Sequence, residues 1–216
     1  MNEPVFRTRV KICGITRIED ARHAVRLGAD AIGLVFFRGS PRYVSIEQAQ
    51  NIAQVVPGFV ARVGLFVNAS LDEIHAVAKR VPLDLIQFHG DEQAEFCEQV
   101  GLPYIKALKI RSAKDFELFK PEYLSARGVL VDAYSPVLQG GTGKTFDWSL
   151  IPPGFANALV LAGGLTDQNV AEAIQRVKPY AVDVSSGVEV APGIKELTKL
   201  QKFMTEVRHA DAARDA

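Results

Sequence analysis

Val10-Lys11-Ile12-Cys13-Gly14-Ile15-Thr16, running on through Arg17-Ile18-Glu19-Asp20-Ala21-Arg22-His23-Ala24-Val25-Arg26-Leu27 to Gly28, is the stretch from which the fold is read. Its first half, Val10 to Ile15, is an apolar run with β-branched residues, which predicts a strand. Its second half, Arg17 to Leu27, sets Ile18, Ala21 and Val25 at helical spacing, and Gly28 supplies the stop. The free thiol of Cys13 falls at the end of that first strand, where it is placed to meet a ligand and to move a proton or attack carbon.

Outward from this unit the same alternation recurs. Ala31 to Phe37 predicts a strand, and Ile46 to Val56 a helix capped by Ser45 and closed by Pro57 and Gly58. Ala61 to Val67 is the third strand, followed by a helix to Val81 capped by Ser70; Leu85 to His89 is the fourth, followed by a helix over Glu92 to Val100. Tyr104 to Ile110 predicts the fifth strand, Ala113 to Leu124 a helix that Pro121 interrupts, and Gly128 to Ala133 the sixth strand. A glycine-rich loop, Tyr134 to Phe146, leads to a short segment at Asp147 to Ile151. Strands at Ala158 to Ala162 and Ala181 to Val184, with helices at Thr166 to Val177 and Ile194 to Arg208, complete the pattern, and residues 210–216 are expected to be a disordered tail. About eight strand–helix alternations fit an α/β fold of one kind, a single (β/α)8 TIM barrel with parallel strands, better than an open doubly wound sheet. No linker or change of composition divides the chain, so residues 1–216 read as a single domain.

Composition narrows the function. The chain has 216 residues, 48% of them hydrophobic, enough for one substantial core. Its 25 basic and 25 acidic side chains cancel and form no blocks, which argues against nucleic acid or an anionic membrane as partner and for a small-molecule substrate. The polar start, Met1 to Arg9, does not read as a secretory signal, and no apolar run approaches membrane-spanning length, so a cytoplasmic location is expected. Cys13 and Cys97 are far apart with no Cys-x-x-Cys spacing, and no histidine cluster accompanies them, so neither a disulfide framework nor a metal site is implied.

In a barrel of this kind the site lies at the C-terminal ends of the strands. The polar residues there are Cys13, the Ser40-Pro41-Arg42 loop, Asn68, Gln87, His89, Lys106, Asp132, Gly163-Gly164, and Asp183 with Ser185-Ser186-Gly187. The glycines after strands seven and eight can bring backbone N–H groups close to an anion, which predicts a phosphate pocket; tight turns are the plainer alternative. Gly140-Gly141-Thr142-Gly143-Lys144-Thr145 fails as a Walker A loop because Leu138 stands where a glycine is needed, and as a dinucleotide fingerprint because of Phe146. It is either a loop that closes over substrate or an ordinary connection.

Cys13 and Asp132, on the first and sixth strands, are the candidate base and acid, each able to contribute about 10² to 10⁴ in rate. Such a pair suits an isomerase. Taken singly, Cys13 reads equally as a small buried hydrophobe and Asp132 as a cap or ion-pair residue. Arg42 can grip a carboxylate through two parallel hydrogen bonds, and His89 can orient substrate or make a structural hydrogen bond. Cys97, with Phe96 and Val100 on an amphipathic helix, reads as packing.

Taken together, Lys11-Ile12-Cys13-Gly14-Ile15-Thr16, Ser40-Pro41-Arg42, Gln87-Phe88-His89-Gly90, Val131-Asp132, Gly140-Gly141-Thr142-Gly143 with Phe146-Asp147-Trp148, Leu161-Ala162-Gly163-Gly164-Leu165 and Asp183-Val184-Ser185-Ser186-Gly187-Val188-Glu189 resemble the phosphoribosylanthranilate isomerases of tryptophan biosynthesis. The resemblance implies an Amadori rearrangement of N-(5-phosphoribosyl)anthranilate to 1-(2-carboxyphenylamino)-1-deoxyribulose 5-phosphate. It implies Asp132 as general acid, Cys13 as general base, Arg42 on the anthranilate carboxylate, His89 and Asp183 at the substrate, and Gly163, Gly164, Ser185 and Ser186 around the phosphate. It implies no cofactor, and leaves monomer or homodimer open. Two other readings stand beside it: a Schiff-base aldolase using Lys106, and a phosphosugar-binding regulatory barrel without turnover.

Overall fold

A computed structural model of the chain describes residues 7–110, 123–133, 148–152 and 159–214. Eight parallel strands close into a barrel in the order β1-β2-β3-β4-β5-β6-β7-β8. These are Arg9–Ile12, Ala31–Val35, Ala61–Phe66, Leu85–Phe88, Tyr104–Ile110, Val129–Ala133, Leu159–Leu161 and Ala181–Val184. Closure is made by β1 pairing with β8, with Lys11 opposite Asp183 and Ile12 opposite Val184.

Helices α1 (Ile18–Leu27), α2 (Ile46–Ala53), α3 (Leu71–Ala78), α4 (Ala94–Gln99), α5 (Val170–Val177) and α6 (Leu197–Arg214) flank the barrel. Ser45 and Ser70 cap α2 and α3 through complete capping boxes, Gln48 and Glu73 answering back to the cap N–H groups. Each helix turns its apolar stripe to the barrel's outer face, where Phe66, Phe88 and Phe203 are fully buried. Burying a side chain of that size is worth about 1.5–3 kcal/mol relative to exposure.

The elements differ from the sequence expectation mainly at their ends. The strand expected to reach Ile15 stops at Ile12, because Gly14 turns the chain with φ +71°. The helix expected from Thr166 begins at Val170, since Asn169 takes the Thr166 N–H on its Oδ1 and holds those residues in a turn. Residues 189–195, partly assigned to the last helix, instead form an antiparallel hairpin of β9 (Glu189–Ala191) and β10 (Ile194–Lys195). Of the residues expected in a disordered tail, 210–214 instead continue α6 to Arg214, with Ala210 buried and Asp211 accepting from the Thr8 N–H at 2.9 Å and the Thr8 hydroxyl at 2.7 Å. That anchor, between residues 203 positions apart, offsets the fraying expected of a chain end. The expected helix at Ala113 to Leu124, except its last two residues, and the loop from Tyr134 to Phe146 lie outside the described residues.

Candidate active site

Strand parity decides which side chains enter the barrel. Ile105, Ala107, Leu130, Val160, Ala162 and Ala181 form a small apolar plug, with Leu85 against it. Side chains alternate along a strand, so the residues two places beyond Leu85, Leu130 and Ala181 share that inward face, nearer the C-terminal rim. They are Gln87, Asp132 and Asp183.

Lys11 joins them from β1. Its Nζ donates to Asp183 Oδ1 at 2.8 Å, and both side chains are almost wholly buried. Cys13 follows one alternation later, its backbone N–H still held by Val184 O at 2.8 Å. A Cβ at Gly33 of β2 would stand 2.8 Å from Cys13 Sγ and 3.1 Å from Lys11 Nζ, so the bare backbone there makes room for thiol and ammonium together. Burial pushes the Cys13 thiol above its ordinary range, while the neighbouring Lys11 ammonium, by charge and hydrogen bond, opposes the shift. Burial would also neutralise Lys11, but Asp183 and Cys13 outweigh it and keep the ammonium charged.

Across the rim, Asp132 and His89 face one another, with His89 Nε2 3.4 Å from Asp132 Oδ2 and both about one-fifth exposed. Gln87, fully buried, lies behind, its Nε2 2.9 Å from His89 Nδ1. An imidazole held at both nitrogens has its ring plane and proton arrangement restricted. Asp132 therefore sits at the head of a three-residue line running from inside the barrel to its rim.

Arg42, in the loop after β2, is braced by Ser40, whose Oγ accepts the Arg42 N–H at 3.1 Å. Its side chain passes over Gly14, where a Cβ would come within 2.5 Å of Arg42 Cδ and 3.0 Å of Ser185 Oγ. The guanidinium makes a two-bond contact with Glu189, Nε to Oε1 at 2.9 Å and Nη2 to Oε2 at 2.7 Å. The glycine-bearing loops after β7 and β8 lie alongside. Gly163 and Gly164 take φ of +83° and +66°. Gly187 lies so close to the preceding loop that a Cβ would stand 1.9 Å from Leu165 O. Ser185 and Ser186 begin the turn between β8 and β9.

Cys13, Asp132, His89, Asp183, Arg42 and the two glycine-bearing loops thus gather at one end of the barrel. Lys106 does not. Its neighbours Ile105 and Ala107 fill the interior, so Lys106 faces outward, where its buried Nζ donates to Glu92 Oε2 at 2.7 Å and Gly90 O at 2.8 Å. Glu92 also accepts the Asn68 and Gly90 N–H groups, which makes this cluster a brace for the loops after β3 and β4. A Schiff-base role for Lys106 is thereby set aside. Lys11, Glu189 and Lys195 are the charged residues the sequence reading left without a role; each sits in or near a quoted motif, but their partners lie on other elements.

Known proteins share this fold. The family model for N-(5'phosphoribosyl)anthranilate (PRA) isomerase matches residues 10–206. The N-(5'-phosphoribosyl)anthranilate isomerase of Pseudomonas fluorescens strain SBW25 is 55% identical over 205 residues, covering 95% of this chain and 98% of the relative. The crystal structure of phosphoribosyl anthranilate isomerase from Thermotoga maritima superposes with a TM-score of 0.87 at 44% identity, covering 94% of this chain and 99% of that one. Another phosphoribosyl anthranilate isomerase structure, in complex with reduced 1-(o-carboxyphenylamino)-1-deoxyribulose 5-phosphate, superposes at 0.84 with 42% identity and coverage of 94% and 99%. Fold and rim define a (β/α)8-barrel isomerase. The chain belongs to the N-(5'-phosphoribosyl)anthranilate isomerase family, enzymes of tryptophan biosynthesis.

Proposed function

We propose that Cys13 and Asp132 are the base and acid with which this isomerase converts N-(5-phosphoribosyl)anthranilate to the 1-(2-carboxyphenylamino)-1-deoxyribulose 5-phosphate. Asp132 gives its proton to the ribose ring oxygen, the C1–O bond breaks, and the anthranilate nitrogen supplies the electron pair that makes the Schiff base. Cys13, as thiolate, takes the proton from C2, and the electrons move into an enolamine that ketonises. The substrate's own nitrogen accommodates the developing charge, so the scheme uses no cofactor or metal.

The observation that supports this reading is the placement of Cys13 just beyond the end of β1 and of Asp132 on the inward face of β6, near opposite sides of one eight-strand ring. His89 and Gln87 hold the acid's side, Lys11 and Asp183 the base's side. Arg42 receives the anthranilate carboxylate, and Gly163, Gly164, Ser185 and Ser186 surround the phosphate. One domain, as monomer or homodimer in the cytoplasm, completes the proposal. Among the described residues no helix is long and apolar enough to cross a membrane.

The test generates phosphoribosylanthranilate in the cuvette and follows loss of its fluorescence. The chain is expected to turn it over while Cys13→Ala does not; equal rates would remove Cys13 from the role of base.

A further inference from the structure

Glu189 and Lys195 form a buried charge pair that the acid–base scheme leaves unused. Lys195 Nζ donates to Glu189 Oε1 at 2.8 Å, with side-chain exposures of 0% and 4%. Both belong to the β9–β10 hairpin, which is fastened to the start of α1. Lys195 N donates to Asp20 Oδ2 at 3.0 Å, Thr16 Oγ1 donates to Gly193 O at 2.5 Å, and Arg17 in turn holds Asp20. From this fixed base the pair reaches two parts of the site. Glu189 takes the Nε and Nη2 edge of Arg42, and Lys195 Nζ donates to Ser185 O at 3.1 Å in the loop after β8.

The chemistry of a guanidinium says what this contact leaves over. Arginine carries five N–H groups in one plane. With the Nε edge committed to Glu189, the end formed by Nη1 and the outer hydrogen of Nη2 is the remaining pair able to grip a second carboxylate in plane. Charge points the same way. Arg42 and Lys195 bring two positive charges against one on Glu189, while nearby Lys11–Asp183 and Arg17–Asp20 are neutral as pairs. Burial alone would raise the Glu189 carboxyl, but the hydrogen bonds and charges of Arg42 and Lys195 hold it below its usual range and so ionised. With Cys13 protonated, the formal charges of Arg42, Glu189 and Lys195 sum to plus one.

We infer that Glu189, steadied by Lys195, is a positioning residue that aims Arg42 at the ring carboxylate and thereby sets the enzyme's preference for an amine substituent bearing that acid. This rests on the assignment of Arg42 to the carboxylate given above. Through Lys195 the same pair ties the carboxylate end of the site to the phosphate loop, so that the distance between the two anionic ends of the substrate is held by one side-chain cluster.

The experiment compares two substrates made from ribose 5-phosphate with anthranilate or with aniline, the second lacking the carboxylate. Glu189→Gln is expected to lower kcat/KM for the anthranilate substrate about 10- to 100-fold, chiefly through KM, the range expected when a charged hydrogen bond is lost. The aniline substrate is expected to change less than about 3-fold, the scale of substitutions outside a contact. Glu189→Asp, which keeps the charge but withdraws it by one methylene, is expected to show the same selective loss and serves if the Gln variant does not fold. Equal losses on both substrates with either variant would reduce Glu189 to a structural role and overturn the inference. Arg42→Ala separates the assumptions: a selective loss there without one at Glu189 sinks only the positioning role, whereas no selectivity at Arg42 sinks the carboxylate assignment and the inference with it.

Discussion

His89 Nε2 faces Asp132 Oδ2 at 3.4 Å, and the other ring nitrogen lies 2.9 Å from the amide of Gln87. The candidate acid is thus carried on β6 but oriented from β4. Asp132→Asn keeps a polar group for His89 and removes the titrating proton. It is expected to cut kcat by about 10²- to 10⁴-fold, the usual worth of a positioned acid. Circular dichroism and thermal unfolding should stay close to the parent; near-normal kcat in a folded variant would dismiss Asp132 as the acid.

The candidate base is opposed by its own surroundings, since burial raises the Cys13 thiol and Lys11 only partly counters it. Free cysteine titrates at about 8.5, so alkylation of Cys13 by iodoacetamide should accelerate with a midpoint above that pH. Lys11→Met should move the midpoint further up. Mass spectrometry distinguishes Cys13 from Cys97, which burial pushes up to about 11. The sign for stability follows: a raised thiol binds its proton more tightly when folded, so the contribution is complete below about 8.5 and lost as pH rises through the folded value. A midpoint well below 8.5 would contradict the geometry around the thiol.

Lys11 and Asp183 are adjacent partners in the β1–β8 closure and are both buried. Removing one leaves the other charge without compensation. Lys11→Met is expected to cost about 3–5 kcal/mol in chemical denaturation, and Lys11→Met with Asp183→Asn to recover much of that loss. Additive losses would show that the pair is not coupled.

Gly187 packs against Leu165 O closely enough to exclude any side chain. Gly187→Ala must separate the loops after β7 and β8, at a cost of about 1–3 kcal/mol typical of overpacking. If those loops hold the phosphate, KM should rise and inhibition by inorganic phosphate should weaken. Unchanged phosphate inhibition in the variant would move the anion site elsewhere.

Short-range chemistry made much of this molecule legible in one dimension. The Ser45 and Ser70 caps and the strand–helix alternation are local consequences of hydrogen bonding and backbone preference, and the structure has them where the pattern predicts. Local pattern was weaker at the β9–β10 hairpin, whose two- and three-residue strands are too short to carry a period. Two lysines mark the boundary between the kinds of information. Lys11, between Val10 and Ile12, and Lys106, between Ile105 and Ala107, both lie in apolar strands, and nothing local separates them. Closure of the barrel turned Lys11 inward to Asp183, 172 residues away, and Lys106 outward to Glu92. The sequence alone determined which residues alternate; only the tertiary structure decided where each strand ends and which alternate faces the site, because Lys11 and Lys106 stay buried beside counter-charges that the fold brings from other elements.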